Sequence, residues 1–351
     1  MSASASTEQT LVEQVRAAHA ARRPLHIRGG GSKTFIAPLA GATTLDTRAH
    51  AGIVDYAPSE LVITARAGTP LADIEALLAE QGQMLAFEPP HFGAATLGGC
   101  VASGLSGPAR AYAGAARDFV LGVRVLDGQG QVLRFGGQVM KNVAGFDVSR
   151  LMTGAWGTLG VVLEASVKTM PRPAAVATRV LALSAATAVD TLNRLAGRPL
   201  PLNASFWHAG MLYLRWAGAR TAVAAACQEV GGEAVDERDA ACLWQDVREH
   251  RHAFAQGGAP LWRLSVHACA RLPKDEDSAI EWGGALRWWA GELPADEVRA
   301  WAQAGGGHAQ VFRGATAAAF HPLPAPMQAI QRRIKRVFDP LGLFNPGLFD
   351  L

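Results

Sequence analysis

The first apolar pattern along the chain is helical. Leu11, Val12, Val15 and Ala18 recur at the spacing of one helix face behind capping Ser and Thr residues, which predicts a helix over Thr7 to Ala21. The period then shortens, and Pro24-Leu25-His26-Ile27 reads as a strand that runs straight into Arg28-Gly29-Gly30-Gly31-Ser32-Lys33. Leu61 to Arg66 is a second strand, which Ala67-Gly68-Thr69-Pro70 turns into a helix, Leu71 to Gln81, closed by Gly82. Val120 to Leu126 and Gln131 to Phe135 flank Asp127-Gly128-Gln129-Gly130, a hairpin with strong turn chemistry. A short helical stretch at Arg150-Leu151-Met152 leads through Gly154 to Gly160 into a strand, Val161 to Val167. Pro171-Arg172-Pro173 breaks both helix and ladder and reads as a boundary.

Beyond that boundary the pattern changes in kind. Period-two strands are predicted at Met211 to Trp216 and Leu261 to Ala268, with helical stretches around 219–230 and 239–255 and a further strand within Gly305 to Arg313. Local turns between them suggest a small antiparallel sheet covered on one face. Met327 to Phe338 is an amphipathic basic helix, followed by the proline-punctuated Asp339 to Gly347. The division this implies is 1–172, 173–320 and a C-terminal helix and tail, 321–351, packing back on the first unit.

Composition agrees with a well-buried globular α+β protein: of 351 residues, 49% are apolar and 18% charged, enough for two cores. A net charge of +3 with no block of five or six like charges argues against nucleic acid. The four cysteines have neither metal-ligand nor iron–sulfur spacing, so reduced thiols in a cytoplasmic protein and no metal site are expected. No apolar run approaches the length of a bilayer span and the N-terminus has no signal-peptide pattern, so membrane contact would come only through partners.

The candidate chemistry sits in two glycine-dense segments. Three successive residues without Cβ at Gly29, Gly30 and Gly31, beside Arg28, Ser32 and Lys33, let backbone amides turn toward one anion, with a diphosphate as the natural guest; taken alone, the run reads equally as a flexible turn. Thr96-Leu97-Gly98-Gly99-Cys100-Val101-Ala102-Ser103-Gly104 leaves one side of a short segment bare, either for a flat ligand or for close helix–sheet packing. In the second half, alternation puts Arg263, Ser265 and His267 on one face of a strand, as a polar wall or as a solvated face. His208, His308, Arg313 and His321 are further candidates, and Arg117-Asp118 reads as an internal ion pair.

These motifs, followed by Gly107-Pro108, Arg117 to Gly122, Lys141 to Asp147 and Gly157 to Val161, occur in the order found in vanillyl-alcohol-oxidase (PCMH-type) FAD-binding domains, which the chain resembles. Phe338-Asp339-Pro340 with Phe344-Asn345-Pro346-Gly347 resembles the ending of the branch that oxidises 2-hydroxy acids. Glu88-Pro89-Pro90, Lys141 to Asp147, Leu261 to Ser265 and Gly306 to Arg313 resemble, more narrowly, the family of FAD-binding E subunits of bacterial glycolate oxidase.

The resemblance implies a PCMH-type FAD domain of two α+β subdomains, followed by a smaller α+β domain with an antiparallel sheet. It implies noncovalent FAD held by Arg28 to Ser32, Pro90, Thr96, Gly98, Gly99, Ala102, Ser103, Gly104, Gly160 and Val161. It implies an oxidoreductase subunit of an assembly that converts glycolate, or another small 2-hydroxy acid, to glyoxylate. The implied partners are a homologous FAD-containing catalytic D subunit and an iron–sulfur F subunit that passes electrons toward quinone, with peripheral attachment to the inner membrane through the complex. For substrate chemistry the candidates are Arg263, His267, Lys141 and Asn142, the last two reading equally as a structural cap. The H-x-G-D-G-N-x-H segment of the catalytic relatives has no counterpart here, and Trp156 stands where they usually carry Glu. Two other readings follow from these departures: a stand-alone FAD-dependent dehydrogenase of the D-lactate type, and a structural subunit without flavin.

Overall fold

The computed structural model describes residues 3–36, 42–138, 145–314 and 319–349. Helix Ala3–Ala21 buries Leu11, Val12, Val15 and Ala18, as its stripe requires, against Leu25, Leu45, Leu126, Val161, Leu163 and Phe344. Strand Leu25–Arg28 then pairs in parallel with Thr43–Asp46, a strand absent from the sequence reading.

Five strands form the first large sheet among the described residues, in the order Ile53–Ala57, Val62–Arg66, Val161–Lys168, Val120–Leu126, Val132–Gly136, with every neighbour antiparallel. The expected hairpin is its last pair. Asp127 closes it by accepting at Oδ1 from the amides of Gln129 and Gln131. Helix Leu71–Glu80 buries Leu71, Ile74 and Leu78, and Gly82 ends it at φ +63°.

After Pro171 the chain enters a larger sheet than the sequence suggests. Among the described residues it has eight antiparallel strands in the order Glu233–Val235, Ala175–Ala182, Met211–Gly218, Leu202–His208, Ser278–Glu281, Leu286–Ala290, Leu261–Ser265, His308–Arg313. Leu202–His208 and Leu286–Ala290 escaped the sequence reading because they are nearly all buried, which removes the alternation that marks a half-exposed strand.

The expectation of one covered face also fails, because both faces are covered. Trp207, Leu212, Leu214, Trp216 and Ile280 meet helices Ala185–Ala196 and Arg220–Val230 on one side. On the other side, Phe206, Trp244, Trp288 and Phe312 share a cluster with Ile36, which follows the glycine loop. Trp282 donates to the Gly107 carbonyl at 3.0 Å, and Arg215 pairs with Glu88 at 2.7 Å, so the second sheet is bonded directly to the first half.

Helix Ala325–Phe338 and the tail return to the N-terminal half. Lys335 Nζ reaches the Thr158 and Phe344 carbonyls and the buried Asp339 carboxylate, while Phe338 packs on Phe135. Among the described residues no helix is long and apolar enough to cross a membrane.

Candidate functional site

Strand Leu25–Arg28 is held between two segments far apart in sequence. Thr43–Asp46 pairs with one edge, and the tail binds the other: Leu25 N–H donates to the Leu343 carbonyl at 2.8 Å, and Asn345 N–H donates to Leu25 at 2.9 Å. The Asn345 side chain accepts from Ile27 N–H at 2.9 Å and donates to the Trp156 carbonyl at 2.7 Å. Asn is suited to this corner because its backbone sits in the left-handed region, at φ +44°.

The ladder stops where the glycines begin. A Cβ on Gly30 would stand 1.4 Å from the Ala94 carbonyl oxygen, so only glycine lets the loop lie on that backbone. Arg28 folds back over Gly31, its Nε 2.7 Å from where a Cβ would stand. Among the described residues, the amides of Gly30, Gly31, Ser32 and Lys33 donate to no protein acceptor. Unsatisfied amides in a row beside a guanidinium are a donor set for an anion.

Facing this loop is helix Leu97–Ser103. Thr96 caps it by accepting at Oγ1 from Gly99 N–H at 3.3 Å, and Gly104 ends it at φ +61°. Leu97, Cys100 and Val101 point into the core. Gly99, Ala102 and Ser103 point the other way, into a cleft that the glycine loop, Ile36, Trp156, Asn345 and Leu348 also line. Lys33 lies at 5.7 Å over the Phe92 ring, and burial lowers its pKa. Burial pushes the Cys100 thiol up to about 12, so it stays protonated and unreactive.

Nine predicted cofactor residues therefore come together in one cleft: Arg28, Gly29, Gly30, Gly31, Ser32, Thr96, Gly99, Ala102 and Ser103. Five others do not line it. A Cβ on Gly98 would face Ala67, a Cβ on Gly160 would face Val125, Val161 is fully buried beneath the first helix, Pro90 is buried elsewhere, and Gly104 opens on the neighbouring cleft. Lys33, Trp156 and Asn345 are in the lining and were not among the predicted cofactor residues. The tail motif around Asn345 was the signal that could have placed it. Lys141 and Asn142 lie outside the described residues.

The neighbouring cleft shares Ser103 and Trp156 with the first and lies between the two halves. Its far wall is the second sheet: Arg263 and Ser265 line it from one face of strand Leu261–Ser265, as alternation places them, while His267 lines it from beyond the end of that strand, which stops short of the expected Ala268. Its near wall contributes Arg110 and Arg117. The expected Arg117–Asp118 pair does not form: Asp118 turns back to accept from Ala115 N–H at 2.9 Å. Of the other candidates, His308 lines this cleft. His208 stacks among His252 and Phe206, Arg313 lies over Phe35, and His321 lines a separate groove beside the C-terminal helix. Glu8, His50 and Glu164 bring ligand-type atoms within 4.8 Å of one another, but Arg124 bridges both carboxylates at 2.7 Å, which accounts for the cluster as an ion-pair network.

Comparison with known proteins bears on this geometry. Residues 2–136 match the family model described as an FAD binding domain. Over 341 residues, 97% of this chain and 96% of the relative, the sequence is 44% identical to the glycolate oxidase subunit GlcE of Escherichia coli (strain K12). It is 31% identical over 154 residues to the glycolate oxidase subunit GlcD of Bacillus subtilis (strain 168), covering 43% of this chain and 33% of that one. It is 29% identical over 190 residues to a D-lactate dehydrogenase of Archaeoglobus fulgidus, 52% of this chain and 42% of that one. The fold is similar to that of alkyldihydroxyacetonephosphate synthase, with a TM-score of 0.68 at 17% identity, over 96% of this chain and 74% of that one.

Proposed function

The chain belongs to the family of the glycolate oxidase subunit GlcE, FAD-binding oxidoreductase subunits with a PCMH-type fold, and from that premise we propose that its FAD lies in the cleft between the glycine loop and helix Leu97–Ser103. The observation that carries this reading is the set of unpartnered amides from Gly30 to Lys33, beside Arg28 and opposite a helix face made of Gly99, Ala102 and Ser103. Charge-assisted bonds from such amides contribute about 1.5–3 kcal/mol each, so a few of them hold a diphosphate without a covalent link. FAD supplies a two-electron acceptor when bound. The chain's own part is to bind and orient: Asn345 and Trp156 fix the loop's strand against the tail, and Lys335 fixes the tail against Thr158.

In this reading residues 1–172 are the flavin unit, 173–320 the unit that covers its substrate side, and 321–351 the clamp that returns to the first. The protein works as one subunit of an assembly that oxidises glycolate to glyoxylate, beside a homologous FAD-containing D subunit. Having no cluster-binding cysteine pattern itself, it relies on an iron–sulfur F subunit to move electrons toward quinone, and that complex is what brings it to the membrane. Its 31% identity over 154 residues to a GlcD supports reading the D subunit as a homologue of this chain.

Co-expression with the two partner subunits tests the assignment. The three should copurify, with flavin in excess of what the D subunit alone carries, and removing this subunit should abolish glycolate-dependent quinone reduction. A colourless subunit that copurifies and supports full activity would overturn the cofactor reading in favour of a structural role.

A further inference from the structure

The outward face of helix Ala325–Phe338 is used by neither the fold nor the flavin site. A helix that packs on its own body turns its apolar stripe inward. This one does so only in part: Ile334 and Phe338 reach the first core, but Gln328, Gln331 and Lys335 share the inward side with them. Met327, Ile330 and Val337 face outward instead and are 46%, 50% and 70% exposed. Leu323 before the helix and Leu341 after it are exposed as well, so five of the ten exposed large apolar side chains among the described residues fall within 323–341. That concentration marks a surface, not scattered exposure.

The charge on the same face has one sign. Arg332, Arg333 and Arg336 are exposed, and the helix has no Asp or Glu. Arg332 donates to the Gln328 side-chain oxygen at 3.3 Å, while Arg333 and Arg336 have no hydrogen bond or ion pair among the described residues. Helical spacing interleaves the two sets: Arg333 lies one turn from both Ile330 and Val337, and Arg336 one turn from Arg333 and Arg332. Lys335 ties the helix to the Thr158 and Phe344 carbonyls and to Asp339, so this face is preformed.

We propose that this face docks an acidic surface of a partner protein, with Arg333 and Arg336 gripping carboxylates and Ile330 and Val337 filling apolar depressions beside them. Guanidinium forks hold carboxylates at two points, and apolar neighbours that exclude water strengthen each pair. Arginine, methionine and aliphatic side chains without an acid or a lysine are the composition of a protein–protein contact core. A lipid surface requires one continuous apolar stripe, and the two residues that would complete it, Ile334 and Phe338, are turned into the core. The proposal rests on the assembly reading above, which supplies the partner: one of the other two subunits, through a face rich in Asp and Glu.

Co-expression of the three subunits, with this chain carrying an affinity tag, reads the contact. Arg333→Glu combined with Arg336→Glu should lower the copurified partner at least tenfold. Arg333→Lys with Arg336→Lys, which keeps the charge and loses the fork, should lower it less. Val337→Asp, at the most exposed apolar position of the helix, should lower it several-fold. The Tm and flavin content of the purified chain should match wild type throughout, because these side chains are exposed. Copurification at the wild-type level in either the double charge reversal or Val337→Asp overturns this inference and leaves the assembly reading standing. A wild-type chain that copurifies with neither subunit overturns the assembly reading and this contact with it. Flotation with vesicles of phosphatidylcholine and about 30% phosphatidylglycerol, and light scattering of the purified chain, address the other occupants. Vesicle binding or dimer formation that the double charge reversal abolishes assigns the face to lipid or to a second copy, and overturns the proposal.

Discussion

Replacing Gly99 with Leu separates cofactor binding from folding. Gly99 sits inside helix Leu97–Ser103 on the face that lines the glycine-loop cleft, and a Cβ built there would meet only Thr96 Oγ1, at 3.4 Å. The helix can therefore carry the side chain without moving, and exchanging Gly for Leu in a helix gains about 0.8–1 kcal/mol of intrinsic propensity. The apoprotein should be at least as stable as wild type. A cofactor lying on that face has to retreat by about the length of the new side chain, out of hydrogen-bond reach of the opposite loop. Losing two charge-assisted bonds costs about 3–6 kcal/mol, roughly 10²- to 10⁴-fold in Kd. The assay is flavin content after purification, Kd from fluorescence titration of FAD into apoprotein, and Tm with and without FAD. Wild type should gain Tm with FAD because binding to the native state alone adds RT ln(1 + [L]/Kd), while the variant should not. Stoichiometric flavin with a Kd within threefold of wild type would refute the placement. Gly30→Ala cannot serve, because its Cβ falls on the Ala94 carbonyl and not on the ligand; that variant should lose stability even in the apo state.

Asn345→Ala removes a buried side chain that accepts from Ile27 N–H and donates to the Trp156 carbonyl, and leaves both groups without a partner. A loss of about 2–4 kcal/mol in urea unfolding is expected, with weaker FAD retention than in wild type. Lys335→Met strips the counter-ion from fully buried Asp339 and should cost about 3–5 kcal/mol, read by the same denaturation and by proteolytic release of the tail. Two buried groups shape the pH dependence of stability. Burial, helped by Arg313 and Arg263, holds His250 down at about 3, and burial pushes Glu281 up to about 7. Between pH 4.5 and 6.5 the native state binds one proton fewer at His250 and one more at Glu281, so their slopes cancel. Below pH 4.5 the unfolded state takes up the histidine proton alone, and stability falls by up to about 1.4 kcal/mol per unit toward pH 3. Between pH 6.5 and 7 the Glu281 contribution alone remains and stability declines as pH rises. Calorimetry should therefore find the acid limb flattened in His250→Phe and the neutral decline removed in Glu281→Gln; an unchanged acid limb in His250→Phe would refute the assignment.

What the sequence determined by itself is local. Glycine at 30 announced the loop because no other residue tolerates a backbone lying on the Ala94 carbonyl, and the run of small residues from Gly98 to Gly104 announced a bare side, of which the structure turns Gly99, Ala102 and Ser103 into the cleft and Gly98 and Gly104 away from it. The hairpin at Asp127 and the shared face of Arg263 and Ser265 follow from turn chemistry and from the period of a strand, whereas His267 lies past the strand's end. The tertiary structure decided everything that depends on which distant segments meet. The glycine-loop cleft is completed by Asn345, more than three hundred residues from the loop it braces, and no pattern near Gly30 encodes that partner. The second sheet hid several of its strands because burial on both faces erases alternation. Whether Arg263 meets a carboxylate could not be read from one strand at all, because a counter-ion has to come from whichever segments pack around it, and here the rings of Trp282 and Trp288, which carry no charge, take those places.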